Sequence, residues 1–215
     1  MNKFDTPQEE FWAGDFGNEY ISRNESPTLL ASNLVMFGKI LNSINAKPTQ
    51  VLEIGANVGM NILALQRLLP AAEFTGIEIN KAACIRLAET GCKVVNASIT
   101  DAELSEPFDF VLTKGVLIHI APELLETTYS KMYNLSRRWI LIAEYYNPTP
   151  IGIGYRGHDE RLFKRDFAGE MLDRFPDLTL HDYGFFYHRG IYPQDDIIYP
   201  QDDINWFLLE KEVPK

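Results

Sequence analysis

The segment Val51-Leu52-Glu53-Ile54-Gly55-Ala56-Asn57-Val58-Gly59 constrains this chain more than any other. A short apolar run suited to a buried strand ends in a loop punctuated by glycine, and a helical pattern follows over 59–68. Gly55 removes the Cβ where the chain must turn sharply, and Gly59 lets the following helix pack close to the sheet. Asn57, between them, is the non-glycine type that best tolerates a left-handed backbone. Such a strand, loop and helix bring a ligand against bare backbone. Glu53 then narrows the ligand. A dinucleotide-binding loop aims a helix N-terminus at a pyrophosphate and has no use for a carboxylate there. Glu53 instead suits a ligand with a positive group and no phosphate.

The rest of the chain alternates. Strands are expected at 50–54, 73–79, 93–96, 108–113 and 138–145, with helices at 59–68, 81–90, 122–135 and 164–174. Alternation of this kind predicts a parallel sheet with helices on both faces. Two last strands, 178–187 and 205–210, have no crossover helix between them and should pair antiparallel. Before the sheet, residues 7–24 mix aromatics with acids and read as a short helical cap. Residues 27–45 place Leu29, Leu30, Leu34, Phe37, Ile40, Leu41 and Ile44 on one helical stripe. The organisation expected is a helical cap over 1–47 and a ligand-binding domain over 48–215, forming one compact unit. Within it, Phe74-Thr75-Gly76-Ile77-Glu78-Ile79-Asn80 is a second strand ending in an acid, 19 positions after Gly59. A carboxylate placed there can accept hydrogen bonds from both hydroxyls of a ribose.

A net charge of −10 on 215 residues argues against nucleic acid and against anionic membrane surfaces. No run approaches the roughly 18 apolar residues of a membrane span. Met1-Asn2-Lys3-Phe4-Asp5 lacks the layout of a signal peptide. Cys84 and Cys92 are the only cysteines and read as reduced, structural thiols, so a cytoplasmic location is expected. Against this acidity, Tyr155–Arg165 stands out: it holds four of the 20 Lys and Arg and one of the four His. Such a cluster can bind a phosphate or carboxylate, or it can be the solvated start of a helix at Lys164-Arg165.

The first loop and the acid at Glu78 together resemble the motifs of the class I S-adenosylmethionine (SAM)-dependent methyltransferases, with Asn57 in place of the middle glycine. The resemblance implies a Rossmann-like class I methyltransferase fold: α/β, a mostly parallel seven-stranded sheet, an antiparallel last strand and helices on both faces. It implies SAM as cofactor and S-adenosylhomocysteine (SAH) as product, without a metal. The cofactor set it implies is Glu53, Gly55, Ala56, Asn57, Gly59 and Asn61 in the first loop and Glu78 and Ile79 after the second strand. Asn96, Ala97, Ser98 and Ile99 follow the third strand and would face adenine; Lys114, Gly115 and Val116 follow the fourth. The (D/N)-P-P-Y motif of the amino-methylating DNA enzymes is absent after the fourth strand, where Leu112-Thr113-Lys114-Gly115-Val116-Leu117-Ile118-His119-Ile120 stands. His119 would lie near the transferred methyl, where imidazole suits removal of an acceptor proton near neutral pH. A histidine merely hydrogen-bonded at a helix start is the other reading.

Glu9–Tyr20, Glu53–Asn61, Leu112–Ile120 and Phe163–Gly169 together look like the pseudaminic acid biosynthesis-associated methylases, bacterial proteins linked to nonulosonic sugars. That resemblance implies a small, anionic sugar or sugar nucleotide as acceptor, with Tyr20, Arg23, Tyr145, Tyr155, Arg156, His158, Arg161 and Lys164 as candidates to hold it. The alternatives are a methyltransferase for another metabolite or a protein side chain, a SAM-binding protein without turnover, and a nicotinamide-dependent Rossmann enzyme, which Glu53 disfavours. An identical repeat of Ile-Tyr-Pro-Gln-Asp-Asp-Ile at 191–197 and 198–204 reads as a duplication in a loop, an acidic flap more than a metal site.

Overall fold

The computed structural model describes residues 4–21, 26–45, 47–190 and 203–212. Two short helices come first, α1 (Pro7–Ala13) and α2 (Asp15–Ile21). α1 starts on a capping box: Glu9 N–H donates to Thr6 Oγ1, and the Glu9 carboxylate reaches back to the Thr6 N–H, with Pro7 at the first helical position. α3 (Pro27–Leu41) repeats the device with Ser26, whose hydroxyl accepts from Leu29 N–H.

The sheet alternates as expected: β1 (Gln50–Ile54), α4 (Met60–Leu68), β2 (Glu73–Glu78), α5 (Lys81–Ala88), β3 (Lys93–Asn96), β4 (Phe108–Lys114), α6 (Leu125–Leu135) and β5 (Ser136–Glu144). A hairpin of β6 (Ile151–Tyr155) and β7 (His158–Lys164) follows, then α7 (Phe167–Arg174), β8 (Leu178–Phe186) and β9 (Ile204–Lys211). The main sheet has seven strands in the order β3-β2-β1-β4-β5-β9-β8. β1 to β5 run parallel, and β9 lies antiparallel between β5 and β8. Strand parity sorts the core. Val51, Phe110, Leu112, Trp139 and Leu141 face the side covered by α3 and α4; Leu52, Ile54, Val111, Ile140 and Ile142 face the side of α6 and α7.

One stretch differs from the sequence reading. The basic segment is a two-stranded hairpin, and the helix after it starts at Phe167, where Asp166 accepts from Gly169 N–H, not at Lys164. The turn puts Arg156 at φ +50° and Gly157 at φ +83°, the all-positive backbone of a type I′ turn. Ile151-Gly152-Ile153-Gly154-Tyr155 does alternate, but its glycines weaken the strand signal and Arg-Gly is not the usual turn pair. Lys164 is therefore a strand residue whose ammonium lies 5.1 Å from the Tyr145 ring centroid, and Arg165 pairs with Glu170 at 2.6 Å. Cys84 and Cys92 are free thiols; the Cys84 thiol bonds the Glu78 carbonyl. Arg23 and positions 191–202 of the doubled segment lie outside the described residues.

Candidate functional site

A cavity of about 830 Å³ opens beyond the carboxyl ends of β1, β2 and β4 and reaches the residues after β3, with α1 to α3 forming part of its wall. This is where an open parallel sheet presents its ligands. The loop after β1 is built as its residue types demand. Gly55, Asn57 and Gly59 have φ of +70°, +46° and +85°. A Cβ on Gly55 would stand 2.5 Å from Val116 Cγ2, so glycine lets the loop and the turn after β4 meet. A Cβ on Gly59 would strike Thr90 and Leu87, so this glycine serves helix packing and lies off the cavity wall.

Glu78 ends β2 on the wall. Its Oε2 accepts from Asn57 N–H at 2.8 Å and its Oε1 from Asn80 N–H at 2.7 Å. Burial pushes its pKa up, against the lowering effect of those N–H donors. Each oxygen keeps a second lone pair, so the carboxylate that fixes the loop can still accept from a ligand hydroxyl.

Glu53 sits differently from the sequence expectation. It is 1% exposed and lies behind the wall; Asn61, which does line the cavity, donates to its Oε1 at 2.6 Å, while Oε2 is buried without a partner. Burial raises its pKa to about 8, with Asn61 and Lys114 lowering it and Glu78 raising it. An orphaned carboxylate oxygen in a water-poor place is suited to a cation nearby. Glu144, at the end of β5, is a second buried acid. Its Oε1 accepts from Val116 and Leu117 N–H, each at 3.0 Å, and burial raises its pKa to about 7.

His119 ends a 3-10 turn over Leu117–His119 and faces the cavity. Its Nδ1 lies 2.6 Å from the Arg161 carbonyl. A carbonyl only accepts, so Nδ1 carries the proton and Nε2 the lone pair. Burial lowers its pKa to about 4. The ring packs 4.6 Å from Trp12 and 4.9 Å from Tyr155, centroid to centroid.

The cavity wall brings together Gly55, Ala56, Asn57, Asn61, Glu78, Ile79, Ala97, Ser98, Ile99, Lys114, Gly115, Val116, His119, Tyr20, Tyr145 and Arg156. Other expected site residues stand off it. Asn96 is exposed and donates to the Glu78 and Ile79 carbonyls, tying β3 to β2. Tyr155 backs His119, His158 packs edge-on against Phe11 and Phe16, and the Arg161 guanidinium lies over Phe11. Beyond Tyr20, the first helices contribute residues not expected from the sequence: Thr6, Gln8, Glu9, Trp12, Leu29 and Asn33 all line the cavity. For Gln8, Glu9 and Trp12 the signal was the aromatic and acidic mixture of 7–24. Asn80 holds this cap in place, donating from Nδ2 to the Trp12 carbonyl at 3.1 Å and to Asn18 Oδ1 at 3.0 Å.

Residues 51–138 match the family described as a methyltransferase domain. The whole fold is similar to magnesium protoporphyrin IX methyltransferase from Synechocystis PCC 6803, solved with bound SAM, at a TM-score of 0.69 and 10% identity, covering 99% of this chain and 100% of that one. It is also similar to 1,6-didemethyltoxoflavin-N1-methyltransferase from Burkholderia thailandensis, solved with SAH (TM-score 0.65, 15% identity, 95% and 86% covered). A third is the plantazolicin methyltransferase BpumL with SAH (0.67, 14%, 95% of each chain). No curated protein sequence matches the chain. Sheet order, the loop after β1 and the likeness to these structures define the class of fold: Rossmann-like, of the class I methyltransferase type, with residues 51–138 similar to a methyltransferase domain.

Proposed function

We propose that this methyltransferase acts on a small, anionic acceptor of the sugar type, a sugar or sugar nucleotide of nonulosonic, pseudaminic-type acid synthesis. The methyl donor is SAM and the product SAH. The cavity fits that donor: Glu78 keeps acceptor capacity for ribose hydroxyls, Ser98 offers a polar group and Ile79 and Ile99 apolar surface for adenine. Asn61 and the buried Glu53 behind it, with Lys114 opposite, suit the zwitterionic amino-acid end. When bound, SAM supplies an electrophilic methyl group on sulfur.

The observation that carries the acceptor reading is the lining of the cavity, which includes Arg156 together with Trp12, Tyr20, Tyr145 and His119. A guanidinium recognises a carboxylate or phosphate, and aromatic faces pack against a sugar ring. His119, neutral with its Nε2 lone pair, takes the acceptor's proton, and Trp12 and Tyr155 keep water from its ring. The protein otherwise contributes position. A second reading, a planar heteroaromatic metabolite, is favoured by the same aromatic cluster and by the fold's likeness to the 1,6-didemethyltoxoflavin enzyme. Mass spectrometry of reactions with nonulosonic sugars, their CMP forms and flat heteroaromatic acceptors separates the two: a methylated sugar supports the first, a methylated heterocycle alone the second.

A further inference from the structure

The turn that carries His119 is held from another strand. Gly115 leaves β4 at φ +66°, its N–H bonded to the Ala143 carbonyl of β5, and the chain then bends through Val116 into the 3-10 turn. The first N–H groups of such a turn have no partner within it. A neighbouring side chain usually caps them, but Val116 offers no side-chain acceptor. Glu144, the residue after Ala143, does so instead: its Oε1 takes both the Val116 and the Leu117 N–H. The carboxylate is 2% exposed, so water does not compete for those donors.

Both ends of this turn matter. Val116 packs against Gly55 of the first loop, and His119 reaches the Arg161 carbonyl of β7. We infer that Glu144 is a positioning residue, which fixes the Val116–His119 turn and thereby holds the His119 ring against Arg161 with its Nε2 as the lone-pair nitrogen. This rests on the reading of His119 as the proton acceptor, yet the placement of the ring can be read without turnover. Two features make the arrangement more than packing. An apolar residue of similar size would fill the space and leave two buried N–H groups unsatisfied, and an acid here carries a desolvation cost that two backbone donors only partly offset.

The test is nitrogen-15 NMR of the His119 imidazole in the full chain, with SAH titration as the check that each variant is folded. In the native protein a single tautomer, protonated on Nδ1, is expected across neutral pH. Glu144→Ala, still binding SAH, is expected to show a mixture of tautomers, with the His119 pKa moving up by about one unit or more toward its ordinary value. Glu144→Gln keeps one acceptor oxygen and is expected to hold the native tautomer. If Glu144→Ala does not fold, Glu144→Asp, one methylene short of the two donors, should move the His119 signals in the same direction. Native His119 signals in folded Glu144→Ala or Glu144→Asp would overturn the inference. A separate result, unchanged turnover in His119→Ala, would remove the base and leave the positioning of the ring standing.

Discussion

Glu78 holds the Asn57 N–H of the first loop and, in the proposed function, accepts from the cofactor's ribose with its remaining lone pairs. Hydrogen bonds to a charged group contribute roughly 1.5–3 kcal/mol, so Glu78→Ala should weaken SAM binding by about tenfold to a hundredfold. Calorimetry on the folded variant checks this, and unchanged affinity would refute the assignment. The buried acids also set a pH dependence. Glu53 rises from 4.5 to about 8 and Glu144 to about 7, while His119 falls from 6.5 to about 4. A raised acid contributes stability that is full below its unfolded pKa and is lost as pH climbs through the folded value. The lowered histidine contributes stability that is full above 6.5 and lost as pH falls toward 4. The two oppose each other below 6.5. Above about pH 6.5 the His119 contribution is complete while the two acids are still losing theirs, so the ligand-free protein should lose thermal stability as pH rises from there to about 8, and Glu53→Gln should flatten the upper part of that slope. A melting curve series in several buffers reads both. On the acceptor side, Arg156→Ala should raise the KM of an anionic acceptor at unchanged SAM affinity. Arg161 was legible as a cation but not by its contact: its guanidinium covers Phe11, so its removal should cost cap stability before it costs acceptor binding.

At the scale of elements, the strand-loop-helix after β1 was legible because its residue types are nearly obligatory: Gly55 and Asn57 sit at positive φ, as only glycine and asparagine readily do. The β-α alternation and the closing antiparallel pair were legible from periodicity and from the missing crossover. The β6–β7 hairpin was not, because β6 is short and glycine-rich and charged residues dominate β7. Apart from Tyr20, the part played by α1 and α2 in the cavity was hidden too. It depends on Asn80, 62 positions from Asn18, and no local pattern shows such a contact. Gly17→Ala tests that docking. A Cβ there would stand 1.9 Å from the Trp12 carbonyl oxygen, a backbone atom that cannot swing aside, and 2.8 Å from the Asn80 side-chain Nδ2 that holds the cap. The seven-stranded sheet should survive this change. Protection of the α1 and α2 amides from hydrogen exchange should fall, while amides of β1 and β4 keep theirs.

For the whole molecule, the central claim is that one cavity at the carboxyl edge of the sheet takes SAM on one side and a small anionic acceptor on the other, with His119 between them. Among the described residues no helix is long and apolar enough to cross a membrane, and no group of three His, Cys, Asp or Glu is placed to hold a metal. SAM and SAH should raise the melting temperature while NAD leaves it in place, since ligands that bind only the folded state stabilise it by mass action. The most direct measurement incubates the full chain with SAM and a panel of nonulosonic sugars and their CMP forms, and follows SAH release and product mass together. The account predicts an acceptor heavier by one methylene, formed in step with SAH, with turnover about a hundredfold lower in His119→Ala at unchanged SAM affinity. SAM binding without methylation of any sugar in the panel, or full turnover in His119→Ala, would contradict it.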